Sequence, residues 1–312
     1  MQNSFMGSLM ELSAKHEEIL YLTADSGEGG LDLMYQRNFP NRTFNFGIAE
    51  ENMVAAAAGM ALCGKIPFVY TAAPFLAYRS FEFIRDDLCL QNAPVKLFGS
   101  GSGMSVSALG LTHHTTEDLA VLRSLPKLNI LSPATPRQAY EAVKVAYEMP
   151  GPVYVRLGMN MKTEDYFDET YQISPSGIDV LRRGSDVGIL TTGSVLNEVM
   201  DAAHMLEGEG ISASVASVFS LKPFDIKEID IKEFLKFASG VSYLVTVEEH
   251  SVLGGLGSMA AEELFNAGVL KPLIKIGLED CFAKGYGTIS IVRKENGIDA
   301  RSIVTRIREA LS

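Results

Sequence analysis

Two adjacent carboxylates, Glu50 and Glu51, open the run EENMVAAAAGMALCG, which is otherwise almost wholly small and apolar. Acidic residues suit the first turn of a helix, where free N–H groups leave partial positive charge. That is the plain reading. Four consecutive alanines, Ala55 to Ala58, and Gly59 also leave little side-chain volume, so another backbone could approach closely. A carboxyl beside such a surface is poorly hydrated and can hold or share a proton near neutral pH, as general acid–base chemistry requires. The segment alone leaves both readings open.

Other residues could serve chemistry as well. In GSGSGMSVSALGLTHHTTED, a glycine- and serine-rich run ends in His113 and His114 beside Glu117 and Asp118. Adjacent histidines rarely both ligate one ion, and no third ligand is evident. A neutral histidine donating to substrate oxygens fits better; two surface histidines in a loop are the plain alternative. Phe75 and Tyr78 lie three apart in TAAPFLAYR, on one helical face or one turn of a loop. They read as core or as the walls of a flat-ring site. Arg156 follows a β-run in PVYVRLG. At the carboxyl end of a parallel strand it would face the ligand crevice and fork an anion; a salt bridge at a domain edge is the alternative. GGLG, residues 254–257, lacks the spacing and lysine of a phosphate loop and reads as a tight turn into a helix.

These residues need a scaffold. The chain has 312 residues, 47% of them hydrophobic, enough for one large or two ordinary domains. A net charge of -11 sets nucleic acid aside as a partner. Cys63, Cys89 and Cys281 show no zinc-ligand spacing and read as buried reduced thiols. The N-terminus lacks a signal-peptide pattern, and no apolar stretch is long enough to span a bilayer, so cytoplasm is the default. Strands are expected in EEILYLTAD, IPFVYTAA, APVKLFGSG, LNILSPA and PVYVRLG, with helices in SFEFIRDDLCLQNA and PRQAYEAVKVAYEM between them. That alternation predicts a mostly parallel α/β sheet. NMKTEDYFDETYQISP reads as a linker, after which SDVGILTTGS, ISASVASVF and VSYLVTVEEH alternate with helices such as LNEVMDAAHMLEGEG. The division is 1–160, linker 161–177 and a second α/β domain over 178–312.

Taken in order, FGIAEENM, TAAPFLAYR, GLTHHTTEDLAVLRSLP, PATPRQAYEAVKVA, GPVYVRLG and VEEHSVLGGLG make the chain resemble the C-terminal half of transketolase from about Leu20 onward. The resemblance implies a pyrimidine-binding domain and a C-terminal domain of a thiamine-diphosphate enzyme that transfers a two-carbon ketol unit. It implies that Glu50, not Glu51, meets the ring nitrogen of the cofactor's aminopyrimidine. The proton shifted there helps deprotonate the carbon that attacks a ketose. Phe75 and Tyr78 match two of three aromatics lining the aminopyrimidine pocket, and Ala72 stands where the first would be. His113 matches the substrate-channel histidine, with His114 beside it. Arg156 matches the arginine that grips the substrate's terminal phosphate, and Asp25 matches an acidic substrate contact. The family's upstream histidine and aspartate fall, by ungapped count, on Gly101 and Leu109, which implies an unusual donor: branched, deoxy or sulfonated.

The cofactor's diphosphate and its Mg2+ (or Ca2+) need a G-D-G motif with an Asn pair, and the chain has no G-D-G. The resemblance therefore implies a split enzyme: a separate N-terminal subunit carries the diphosphate domain, in an α2β2 heterotetramer with sites at subunit interfaces. The rival is the β subunit of a 2-oxoacid dehydrogenase E1 component. HHTTEDLAVLRSLP places Glu117 four residues after His113 and Arg123 before Leu-Pro, the transketolase pattern. A non-catalytic regulatory subunit is the third reading, against which the joint retention of Glu50, Phe75, Tyr78, His113 and Arg156 speaks.

Overall fold

The apolar runs of the first half become strands buried on both faces. β1 (Ile19–Thr23), β2 (Thr43–Asn45), β3 (Ile66–Ala72), β4 (Lys96–Ser100), β5 (Asn129–Leu131) and β6 (Val153–Leu157) form one parallel sheet. All five residues of β1, β4 and β6 are buried, which is why they carry no apolar–polar alternation. The structure, a computed structural model, describes residues 1–26, 30–159, 164–174, 176–223 and 232–311.

Helices cover both faces of this sheet. On one lie α1 (Gln2–Ser13), α2 (Leu31–Asn38) and, later in the chain, α6; on the other lies α3 (Glu50–Leu62). The expected helix after β3 forms, but unevenly. It is π-wound over Phe75–Arg79 and Ile84–Cys89, with α4 (Phe81–Phe83) between. Wide turns of this kind recur at functional sites. α5 (Asp118–Arg123) follows the histidine segment. α6 (Pro136–Glu148) starts as its sequence dictates: Thr135 accepts from the Gln138 N–H, and Pro136 needs no donor at the first helical position.

The second half builds a five-stranded sheet from β7 (Ile178–Arg182), β8 (Val187–Thr191) and β9 (Ala213–Val218), then, past β10 (Ser220–Lys222), from β11 (Tyr243–Ser251) and β12 (Leu273–Leu278). The spatial order is β12-β11-β8-β9-β7, with β7 antiparallel on the edge. Around it lie α7 (Leu196–Gly208), α8 (Lys232–Ser239), α9 (Leu256–Asn266), α10 (Ile289–Glu295) and α11 (Ala300–Leu311). The glycine turn of residues 254–257 leads into α9 as expected. Its first N–H groups, of Leu256 and Gly257, donate to the Glu248 carboxylate at 2.7 and 2.9 Å.

Two expectations change. β10 belongs by sequence to the second half, yet it pairs antiparallel with β5 and closes the edge of the first sheet. The three cysteines are unpaired, but only Cys89 is buried; Cys63 and Cys281 are exposed, at a helix end and in a connecting loop where no core forms around them.

α1 has no counterpart among the sequence expectations, and it covers a large part of the sheet. Phe5 is fully buried, with ring centroids 4.5 Å from Phe98 and 5.3 Å from Tyr70. Phe5→Ala should cost ~3–5 kcal/mol through lost transfer energy and the cavity left behind. Urea unfolding, read as the shift in midpoint at constant slope, checks this.

Candidate active site

α3 packs on its sheet through Met53, Val54, Ala57, Ala58 and Ala61, and the same face turns Glu50 inward. One residue is about 100° of helix, so Glu51 points elsewhere and stays partly exposed. Glu50 is 1% exposed. A buried carboxylate needs a partner. It finds one in Arg79, whose Nη1 donates to Glu50 Oε2 at 2.6 Å. The Arg79 guanidinium carbon also lies 5.0 Å from the Phe75 ring centroid. The Phe75 ring in turn meets His113 edge-on, at 5.3 Å and 74°. Glu50, Arg79, Phe75 and His113 thus form one contiguous line. Arg79 was not among the sequence candidates. Its signal was present: it follows Tyr78 directly, and an inward-facing Glu50 demands a nearby cation.

The line borders a cleft of about 590 Å³ at the carboxyl ends of the first sheet. Asp25, Asn45, Ala72, Ser100 and Met159, from or just beyond five strand ends, line it, with Leu109 and His113 on its rim. Parallel α/β sheets hold ligands at this position. Asp25 has a left-handed backbone, φ 56°, and its N–H donates to the Asn45 side chain at 3.2 Å. Gly101 does not line the cleft. It sits in a buried turn at φ +86°, where an added Cβ would come within 2.4 Å of Val106.

Phe75 also borders a second hollow of about 390 Å³, shared with Tyr78, Arg79, His114, Glu117 and Phe282. The Tyr78 hydroxyl donates to Glu117 at 2.8 Å, and burial, with Asp118 and Glu117 nearby, pushes its pKa far up. His114 is buried, and neither ring nitrogen has a hydrogen-bond partner among the described residues. The two histidines therefore part: His113 faces the sugar-sized cleft, while His114 lines the second hollow.

Arg156 requires a correction. It does not face the cleft. It is 2% exposed, and its Nε donates to both Asp118 oxygens at 3.1 and 2.9 Å. Nη2 donates to the carbonyls of Thr115 and Glu249 at 2.8 and 3.0 Å. The salt bridge at the domain edge is what forms, because the β6 strand end runs under the second domain. A phosphate could not reach this guanidinium.

The chain matches two families: transketolase, pyrimidine binding domain, over residues 1–161, and transketolase, C-terminal domain, over residues 177–303. One of the two apulose-4-phosphate transketolase subunits of Actinobacillus succinogenes is 36% identical over 92% of this chain and 90% of that protein. The 6-deoxy-6-sulfo-D-fructose transketolase subunit SqwH of Clostridium sp. is 32% identical over 99% of this chain and 94% of that protein. Among solved structures, a split gene transketolase described as an inactive β4 tetramer superposes with a TM-score of 0.87 at 36% identity, covering 99% of this chain and 97% of that one.

The buried His114 gives a pH signature. Desolvation lowers its pKa from the ordinary 6.5, against the pull of Glu249 and Glu117 and with the help of His113. The unfolded chain therefore takes up this proton first as pH falls. The stability tied to His114 is present above about 6.5 and is lost as pH drops below it. Thermal melts across pH 5–8 should show this slope in the wild type, and His114→Phe should remove that part of it. An unchanged slope would mean that His114 is already charged in the fold.

Proposed function

Because the chain belongs to the transketolase family by both of its domains, we propose that it is the C-terminal subunit of a split transketolase. With its partner it moves a two-carbon ketol unit from an anionic ketose donor to an aldose acceptor. The observation that carries this is Glu50: a buried carboxylate at the start of α3, joined through Arg79 and Phe75 to His113 at the cleft. The aminopyrimidine half of thiamine diphosphate fits these residues: a carboxylate for the ring nitrogen, and Phe75 and Tyr78 for the ring. When bound, the cofactor supplies the carbon nucleophile. Glu50 holds and returns the proton at the ring nitrogen, Phe75 packs on the ring, and His113 donates to sugar oxygens. Asp25 is placed at the cleft to accept from a sugar hydroxyl. His114, lining the neighbouring hollow, contacts substrate only from behind Phe75.

The diphosphate and its Mg2+ (or Ca2+) fall to an N-terminal subunit, since the G-D-G motif is absent from this chain. We place the two chains in an α2β2 heterotetramer. Support comes from apolar side chains left open near the cleft: Leu33 and Met34 of α2 at 55% and 47% exposed, and Ile48 at 75%. The reading divides the chain at 1–160, 161–177 and 178–312, with β10 returned to the first sheet. It sets the enzyme in the cytoplasm; no helix among the described residues is long and apolar enough to cross a membrane.

The donor is the finer question. With Arg156 in the core, no lysine or arginine lines the cleft among the described residues. An anionic end of the sugar is left to the partner subunit's side. Leu109 and Ala72 line the cleft here, and an apolar wall cannot select a hydroxyl as a paired polar group does. Relatives named for apulose 4-phosphate and 6-deoxy-6-sulfo-D-fructose support a branched, deoxy or sulfonated ketose.

Two outcomes test the reading. In the reconstituted pair, Glu50→Gln should fold normally and lose ~10²–10⁴ in turnover, with Glu51→Gln close to wild type. Equal losses at both would place the proton chemistry elsewhere. By calorimetry the isolated chain should bind thiamine diphosphate weakly with or without magnesium, and the pair tightly; tight magnesium-dependent binding to this chain alone would overturn the split-site assignment.

A further inference from the structure

The segment carrying Leu109 and His113 is a loop, and its ends and middle are held from the second domain. Gly103 and Thr115 close it by exchanging backbone hydrogen bonds at 3.1 and 2.8 Å. One Arg156 nitrogen then ties the Thr115 carbonyl to the Glu249 carbonyl of β11. The Ser251 N–H donates to the Thr116 carbonyl at 2.7 Å. Midway along, the Ser107 hydroxyl donates to the Gly287 carbonyl at 2.7 Å, and the Gly287 N–H returns a bond to the Ser107 carbonyl at 3.1 Å.

Glu249 is the point where this frame is anchored. Its carboxylate takes the Arg293 Nε at 2.6 Å and the Ser194 hydroxyl at 3.0 Å. All three are at least 97% buried. Contact is close enough that a Cβ on Gly103 would meet the Glu249 side chain at 2.7 Å. Ionic anchors of this kind spread over two α/β units are costly to desolvate and hold one geometry when fully paired.

We propose that the second domain is a positioning element of the sugar site: through Glu249, Arg156 and the Ser107–Gly287 bonds it sets where Leu109 and His113 stand, and so which sugar binds. The proposal rests on the transketolase reading for the word sugar, and on geometry alone for the frame. Glu249, Arg156 and Ser107 are positioning residues, since none of them lines the cleft. They differ from ordinary domain packing in a measurable way. Packing contacts lower the stability of the whole chain, whereas these act on residues 103–116.

The test uses the full chain for hydrogen exchange and the reconstituted holoenzyme for kinetics, with Ser107→Ala and Glu249→Gln. Ser107→Ala removes one hydrogen bond and little volume. Glu249→Gln keeps the shape and removes the charge. Each should raise exchange within 103–116 about 5-fold, the change set by one hydrogen bond, with β1 and β3 unaltered. The KM for the ketose should rise about 5-fold, with kcat and thiamine diphosphate affinity within about 2-fold. Unchanged exchange in 103–116, or a rise spread evenly over the chain, overturns the frame. A fall in kcat at constant KM overturns its role in sugar binding. Should Glu249→Gln not fold, Ser107→Ala decides by the same readouts. The exchange arm needs neither partner nor sugar: a localised rise in a chain whose wild-type pair transfers no ketol unit overturns the transketolase reading and leaves the frame standing.

Discussion

A guanidinium cannot be buried alone, and the placing of Arg156 at the inner end of β6 commits much of the molecule. Its charge is met by Asp118, the first residue of α5, and its remaining donors by carbonyls of Thr115 and Glu249. Those acceptors come from both halves of the chain. The two domains must therefore stay in register for the charge to remain paired, because a lost partner would leave an uncompensated ion in a dry interior. Arg123 adds a second clasp at the far end of α5, donating to the Gly254 carbonyl at 2.9 Å and to Glu262 at 2.7 Å. Apolar burial follows the same seam: one cluster takes in Met53 and Ala57 of α3 together with Leu190, Leu256 and Met259 of the second half.

The opening glutamate obeys the same rule with a different answer. Glu50 is as deeply buried as Arg156, but its partner Arg79 is 39% exposed. The pair reaches from the core to the surface, so the carboxylate is held and yet near a place where a ligand can arrive. Arg156 and Asp118 have no such outlet, at 2% and 0% exposure. This difference separates a site residue from a structural one more sharply than charge or residue type does.

Much of this was legible in the sequence. Long apolar runs such as those of β3, β4, β8 and β11 fix a buried parallel sheet, and α6 declares itself through Thr135 and Pro136. Glu50 was legible because a carboxylate beside four alanines has few uses. Other features were not. α1 and β10 take their places through tertiary pairing: α1 by fitting Phe5 between Tyr70 and Phe98, β10 by finding the open edge of β5. Their own sequences carry little period. Arg156 misled because strand-end position says where a residue sits, not which way its neighbours are covered; only the second domain, far along the chain, buries it. The histidine pair misled for a local reason. His114 follows a short helical turn, Leu111–His113, with extended backbone, so neighbours in sequence face different hollows.

The rigidity of the supports divides the labour of the site. Glu50 stands on a thirteen-residue helix, and Phe75 on a wide turn packed against that helix. These elements have little freedom to vary, and proton transfer, which fails with small misplacements, needs that. Leu109 and His113 stand instead on a loop, where a change of residue or length leaves the sheet intact. Such a loop would ordinarily be mobile. Here it is closed on itself through Gly103 and Thr115 and pinned from outside through Ser107. The binding surface can therefore change by substitution while the frame beneath it holds, so one proton-handling scaffold can serve sugars of different carbon skeleton.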